Sequence, residues 1–154
     1  MTMLTDPSQK YRPFAPVHLR DRTWPDEVLS KGFRSASQTE FDFHRHLIDN
    51  RLIPDDVTIQ VLTPARDELI RRSFQALRGV PRAIVHVYNA IAPVMRRVVF
   101  RMSEDEVVDL AVSHVRLVRE LADAHPETDW RIQYSPEMFS GTELALSKRV
   151  VDAV

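Results

Sequence analysis

Three short stretches space candidate site residues two positions apart. They are Gln60 and Leu62 in VTIQVL, His86 and Tyr88 in RAIVHVY, and Gln133, Ser135 and Glu137 in WRIQYSPE. In an extended strand, residues two apart share a face. Read as strands of one parallel sheet, the three stretches would line one side with a polar wall, with one imidazole and one carboxylate at its mouth. His and Glu are the usual proton-transfer and substrate-orienting groups. In parallel α/β folds such residues gather where strands end, so the ends of these three runs are the first place to look. The simpler alternative is a lone strand histidine hydrogen-bonded for structural reasons only.

A second constellation carries less. His44-Arg45-His46 has the His-x-His spacing of many metal sites. It follows a Ser37-x-x-Glu40 pattern that opens a helix, and on a helix residues two apart point about 200° apart. The pair therefore cannot close on one ion, and a solvated helix face is the expected reading. Arg96-Arg97 and Arg101 could meet an anion, but arginines are mostly exposed and a solvated face is again simpler. Leu19-Arg20-Asp21 sits in a proline-broken stretch and reads as surface; Trp24, Trp130 and the methionines read as packing.

The elements that must hold these residues follow from periodicity. Pro7, Pro13, Pro16 and Pro25 break residues 1–26 into an extended arm whose apolar residues (Tyr11, Phe14, Val17, Leu19, Trp24) suit docking. A helix is predicted over 39–51, a strand over 57–62, a helix over 65–78 closed by Gly79, and a strand over 82–88. A short helix over 93–102 is the weakest of these assignments. Ser103-x-x-Glu106 opens a long helix, 130–135 is a third strand, and Thr142 is predicted to cap a final helix. Strands alternating with helices imply parallel pairing with right-handed crossovers. The expected fold is α/β with about three parallel strands, too few for a closed eight-stranded barrel.

Composition excludes several classes. Lys plus Arg is 21 against 22 Asp plus Glu, so no basic field points to nucleic acid. With no Cys, disulfides and thiolate metal sites are excluded, which fits a reducing cytoplasmic setting. No apolar run reaches the roughly 18–20 residues of a membrane span, and MTMLTDPSQKYRPF lacks the apolar region of a secretory leader. The three glycines form no GxGxxG or P-loop.

Motifs then narrow the reading. YRPF (11–14), RDRTWPD (20–26), GFRSASQTEFDF (32–43), IPDDVTIQVLT (53–63), RAIVHVYN (82–89), RRVVFR (96–101) and YSPEMFSGTEL (134–144) occur in this order. Together they resemble the N-terminal half of the 2-isopropylmalate synthase family, in the branch with a long N-terminal arm. The resemblance implies a partial TIM (β/α)8 barrel over residues 32–154 preceded by an arm over 1–31. It implies a Claisen condensation of acetyl-CoA with 2-oxoisovalerate in leucine biosynthesis. A base takes a methyl proton from the acetyl thioester, the enolate attacks the keto carbon, and the thioester is hydrolysed. The family uses a divalent metal (Mg, Mn or Zn) to polarise the keto acid. Carried over residue by residue, His86, Leu62, Tyr88 and Ser135 match substrate-binding positions, and Glu137 of YSPE is the candidate catalytic group.

The resemblance is incomplete. The family's first barrel strand ends in D-L-R-D-G-N-Q, which supplies a metal-binding Asp and a substrate-facing Arg; here RTWPDEVLSK runs almost directly into GFRSASQ. A first strand, its helix and most of a second strand are expected to be missing between residues 31 and 32. The family's metal-binding H-x-H is not found within these 154 residues, and His44-Arg45-His46 matches the helix after SASQ instead. Arg34 replaces a usual Pro, and Ala90-Ile91-Ala92 replaces hydroxyl residues. The expectation is a synthase fragment that binds no metal and is inactive alone. Two other readings stand beside it: a non-enzymatic partner that joins a full-length synthase or another copy of itself, and a keto-acid-binding remnant.

Overall fold

The computed structural model describes residues 37–154 in full and the backbone of 28–33. The proposed arm over 1–26, with its docking residues and Leu19-Arg20-Asp21, lies outside the described residues.

Four strands alternate with four helices: β1 (Val28–Phe33), α1 (Gln38–Asp49), β2 (Thr58–Pro64), α2 (Asp67–Leu77), β3 (Arg82–Ala90), α3 (Glu104–Asp123), β4 (Asp129–Glu137) and α4 (Leu144–Ala153). All neighbouring strands pair in parallel, in the spatial order β1-β2-β3-β4. The α/β partial-barrel expectation holds, with one more strand than the three foreseen. β1 starts inside the segment 1–31 read as arm, and it fills a position where most of a strand was expected to be missing. Its sequence, VLSKGF, has no β-branched alternation; pairing along β2 is what supports it.

The helix ends follow local chemistry. Ser37 caps α1 by accepting the Glu40 N–H at 3.1 Å. Ser103 and Glu106 form both bonds of a capping box on α3, at 3.2 and 2.7 Å, and these bonds hold the Glu106 carboxyl below its usual range. α2 ends at Arg78, and Gly79 takes φ +86°, a conformation that side chains with a Cβ avoid. Thr142 does not cap α4. Its hydroxyl donates back to the Met138 carbonyl, Glu143 occupies the cap, and Glu143 is committed elsewhere. Met95–Phe100 is π-helical rather than α-helical and closes on Arg101 in a left-handed conformation.

The core lies between the sheet and the helices on one side. Ile59, Val61, Ala83, Val85 and Val87 face Ile70, Phe74, Leu77, Leu117 and Val118. Full burial of such side chains contributes roughly 1.5–3 kcal/mol each. A second cluster, centred on Ile91, Val107, Leu146 and Val150, fastens α4 to α3. The other side of the sheet carries the alternate residues, which are half-buried along β3 and largely exposed along β4. In a closed barrel that side would be the packed interior.

Candidate functional site

Strand parity brings the expected residues to the open side of the sheet. Register pairs Leu62 with His86 and His86 with Gln133; one row higher, Pro64 pairs with Tyr88 and Tyr88 with Ser135. Glu137 lies two residues beyond Ser135, opposite Ala90, and is exposed at the strand end.

His86 is the centre of the wall. The Gln60 amide Nε2 donates to His86 Nδ1 at 3.1 Å and to Gln133 Oε1 at 3.2 Å. With Nδ1 accepting, the neutral ring carries its proton on Nε2, which donates to Ser135 Oγ at 2.7 Å. Burial lowers the His86 pKa. A second ring proton would also meet the Gln60 amide donor, so the network favours the neutral ring twice over. Ser135 accepts from His86 and keeps its own O–H to donate. Among the described residues nothing accepts it. The wall therefore presents a hydroxyl donor, the Tyr88 ring and Leu62 to whatever lies in front of it, which suits an oxygen-rich ligand with a small apolar tail.

The structure joins His86 to Ser135 directly and leaves Leu62 and Tyr88 as flanking wall. It does not bring Glu137 into the network. Gln60 and Gln133, read from the sequence only as deeper wall positions, are what orient the imidazole. Their shared parity with His86 was the available signal.

The wall is fixed from behind and above. On the packed side, Tyr134 donates its hydroxyl to Asn89 Oδ1 at 2.8 Å, locking β4 to β3; burial raises the Tyr134 pKa strongly. Beyond the strand ends, Arg96 is buried, contrary to the solvated face expected for it. It donates to the Glu143 carboxylate at 2.9 and 3.0 Å and to the Ile91 carbonyl at 2.8 Å. Those bonds hold the Glu143 carboxyl down at about 2. One guanidinium thus ties the loop after β3 to the start of α4. Ala90, Ile91 and Ala92, which stand where hydroxyl residues were the family norm, are all buried beside this clamp.

His44 and His46 diverge, as helix geometry requires, but His44 is not solvated. It is 1% exposed, and its Nδ1 donates to the Glu40 carbonyl at 2.8 Å. It shares an apolar stripe with Phe41 and Ile48, a spacing visible in the sequence.

The donor set does not fit a divalent cation. Such ions need several converging carboxylate or imidazole ligands. The wall offers amides, a hydroxyl and one imidazole whose two nitrogens are already bonded. Among the described residues no three His, Asp or Glu side chains group to hold a metal.

A parallel α/β sheet with a polar, strand-borne wall on its open side is the inner surface of a barrel-type protein. The HMGL-like family pattern matches residues 26–154, and the chain belongs to this TIM-barrel family. It is 47% identical to a 2-isopropylmalate synthase from Azotobacter vinelandii, across all of this chain and 35% of that protein. It is 43% identical to the 2-isopropylmalate synthase of Ralstonia nicotianae, across 99% of this chain and 34% of that protein. The chain spans about a third of the length of the curated relatives it matches. The first alignment covers 196 positions where this chain supplies 154 residues, so the relative carries at least 42 positions internally that have no counterpart here. No described helix is long and apolar enough to cross a membrane.

Proposed function

We propose that this chain is the 2-oxo-acid-facing part of a 2-isopropylmalate synthase, the acyltransferase of leucine biosynthesis, and that it does not complete the condensation by itself. The observation that carries this reading is the Gln60–His86–Ser135 relay on the open side of the sheet. Its free hydroxyl donor suits the carboxylate or keto oxygen of 2-oxoisovalerate, and Leu62 and Tyr88 suit the isopropyl tail. His86 orients Ser135 rather than taking protons, since both ring nitrogens are committed. Glu137, exposed at the strand end, is the group left to act on the acetyl thioester.

The chemistry that is short is electrophilic activation. In the family a metal polarises the keto acid, and the D-L-R-D-G and H-x-H motifs that would hold it are not among these residues. Titration calorimetry with 2-oxoisovalerate tests the binding half: measurable heat that disappears in Ser135→Ala is expected, and no heat with the wild-type chain overturns it. A thiol-release assay with acetyl-CoA, 2-oxoisovalerate and Mg²⁺ or Mn²⁺ tests the other half. Metal-dependent turnover by this chain would contradict it.

A further inference from the structure

The helix side of the sheet carries a cleft of its own, with a volume of about 720 Å³. Three successive helices build it: α1 and α3 supply two walls, and α2 runs between them. It depends on neither outer edge of the sheet and takes no residue from α4. Helix spacing explains its lining. Arg71, Gln75 and Arg78 recur at i, i+4 and i+7 and form one exposed row along α2. At 1.5 Å per residue that row is about 10 Å long. Phe74, from the same side of α2, is 5% exposed and forms the floor with the half-buried Phe41 and Leu121. Arg72 lies over the Phe41 ring, 4.8 Å from its centre, and its guanidinium also donates to Gln38.

The charges in the cleft are one-sided. Three arginines and His125 line it, and no Asp or Glu does. Two of these groups have carboxylate partners outside it: Arg45 pairs with Asp49, and His125 Nδ1 lies 3.2 Å from Glu127. Arg45 also donates to the carbonyls of Ala76 and Arg78, which fixes α1 against the end of α2. The side chains of Arg71, Gln75 and Arg78 have no hydrogen-bond or ion-pair partner among the described residues. On a chain of formal net charge −1 this is a local excess of positive charge above an apolar floor. Guanidinium groups hold phosphate oxygens in pairs. Two of them with an amide between, spread along one row, suit two linked phosphoryl groups better than a single carboxylate. The floor suits a flat ring, which stacks on aromatic and aliphatic side chains. Ligand sites commonly enclose roughly 300–1,000 Å³ and combine this kind of apolar lining with a few placed polar groups.

We propose that this cleft binds a nucleoside diphosphate, with the phosphates on Arg71, Gln75 and Arg78 and the base over Phe41, Phe74 and Leu121. The site lies behind the sheet from the His86 wall and shares no residue with it. It does not rest on the 2-oxo-acid reading; a chain that binds the nucleotide and no keto acid leaves it standing.

Titration calorimetry of the full chain with ADP tests it. Saturable binding is expected, weaker by about tenfold or more when Arg71→Ala and Arg78→Ala are combined. Both positions are exposed, so the circular dichroism of that variant should match wild type. Arg116→Ala combined with Arg119→Ala removes the same charge from exposed positions of α3 outside the cleft and should bind ADP as the wild type does. Pyrophosphate should bind more weakly than ADP, because it leaves the floor empty, and 2-oxoisovalerate should not compete with either. No ADP binding at millimolar concentration would overturn the proposal. So would binding that survives loss of Arg71 and Arg78, that falls equally without Arg116 and Arg119, that pyrophosphate matches, or that 2-oxoisovalerate displaces.

Discussion

The two faces of one sheet behave as different materials. On the helix-covered face, β2 and β3 contribute Val61, Ala83, Val85 and Val87, all essentially without solvent contact. On the open face the alternate residues of the same strands are Gln60, Leu62, His86 and Tyr88, all half-buried, with Gln60 and His86 joined by a side-chain hydrogen bond. A single-residue step along the strand separates a stabilising surface from a recognising one. Two histidines, His44 buried and His86 half-buried, make the same contrast. His44 satisfies Nδ1 on its own helix backbone, a local bond that leaves nothing to offer a ligand through that atom. His86 is held by side chains from the strands on either side of it and passes its polarity on to Ser135.

If the faces divide labour in this way, truncation should be costly on one and mild on the other. Leu77→Ala, in the dry core, should destabilise by about 2–5 kcal/mol in urea unfolding. Ile84→Ala, on the open face of β3, should cost well under half of that; equal losses would break the comparison. Arg96→Ala comes next. It removes a buried guanidinium bonded to Glu143 and Ile91, and a loss of about 1.5–3 kcal/mol is expected. Arg96→Lys should recover only part of it, because a single ammonium cannot make the paired bonds. An Arg96→Ala chain as stable as wild type would show that the clamp holds nothing.

A smaller effect follows from pH. Burial keeps the folded pKa of both His44 and His86 below 6.5. As pH falls through 6.5 the unfolded chain takes up protons that the folded chain refuses, so stability present above that pH is lost on the way down. Urea midpoints should fall between about pH 7.5 and pH 5.5, and His86→Gln should flatten the slope. The Glu143 contribution is lost lower, as pH drops from 4.5 toward about 2, so the two windows separate. A midpoint that rises on acidification would contradict the burial of these rings. The smallest change should come from Gln60→Ala, which leaves the dry core intact and frees His86 Nδ1. It should leave unfolding within about 1 kcal/mol of wild type while weakening 2-oxoisovalerate binding.

The residues show why some of this was legible and some was not. Runs such as VTIQVL and RAIVHVY declare strands by β-branched content, and parity alone put His86, Ser135 and Gln60 on one face. β1 was hidden because Ser30, Lys31 and Gly32 carry no strand signal; β2 as a pairing edge supplies what the local sequence lacks. Arg96 looked like a surface cation because its partner, Glu143, is 47 residues away, and no spacing rule links them. His44 looked solvated because its type outweighed its position on the Phe41–Ile48 stripe.

The most direct test is the ring tautomer of the two histidines by nitrogen-15 NMR near pH 7.5, with and without 2-oxoisovalerate. The structure predicts a proton on Nδ1 of His44 and on Nε2 of His86, and a ligand-induced shift at His86 with none at His44. His86 protonated on Nδ1, or unmoved when the keto acid is in large excess, would contradict a wall built to present Ser135 to a substrate.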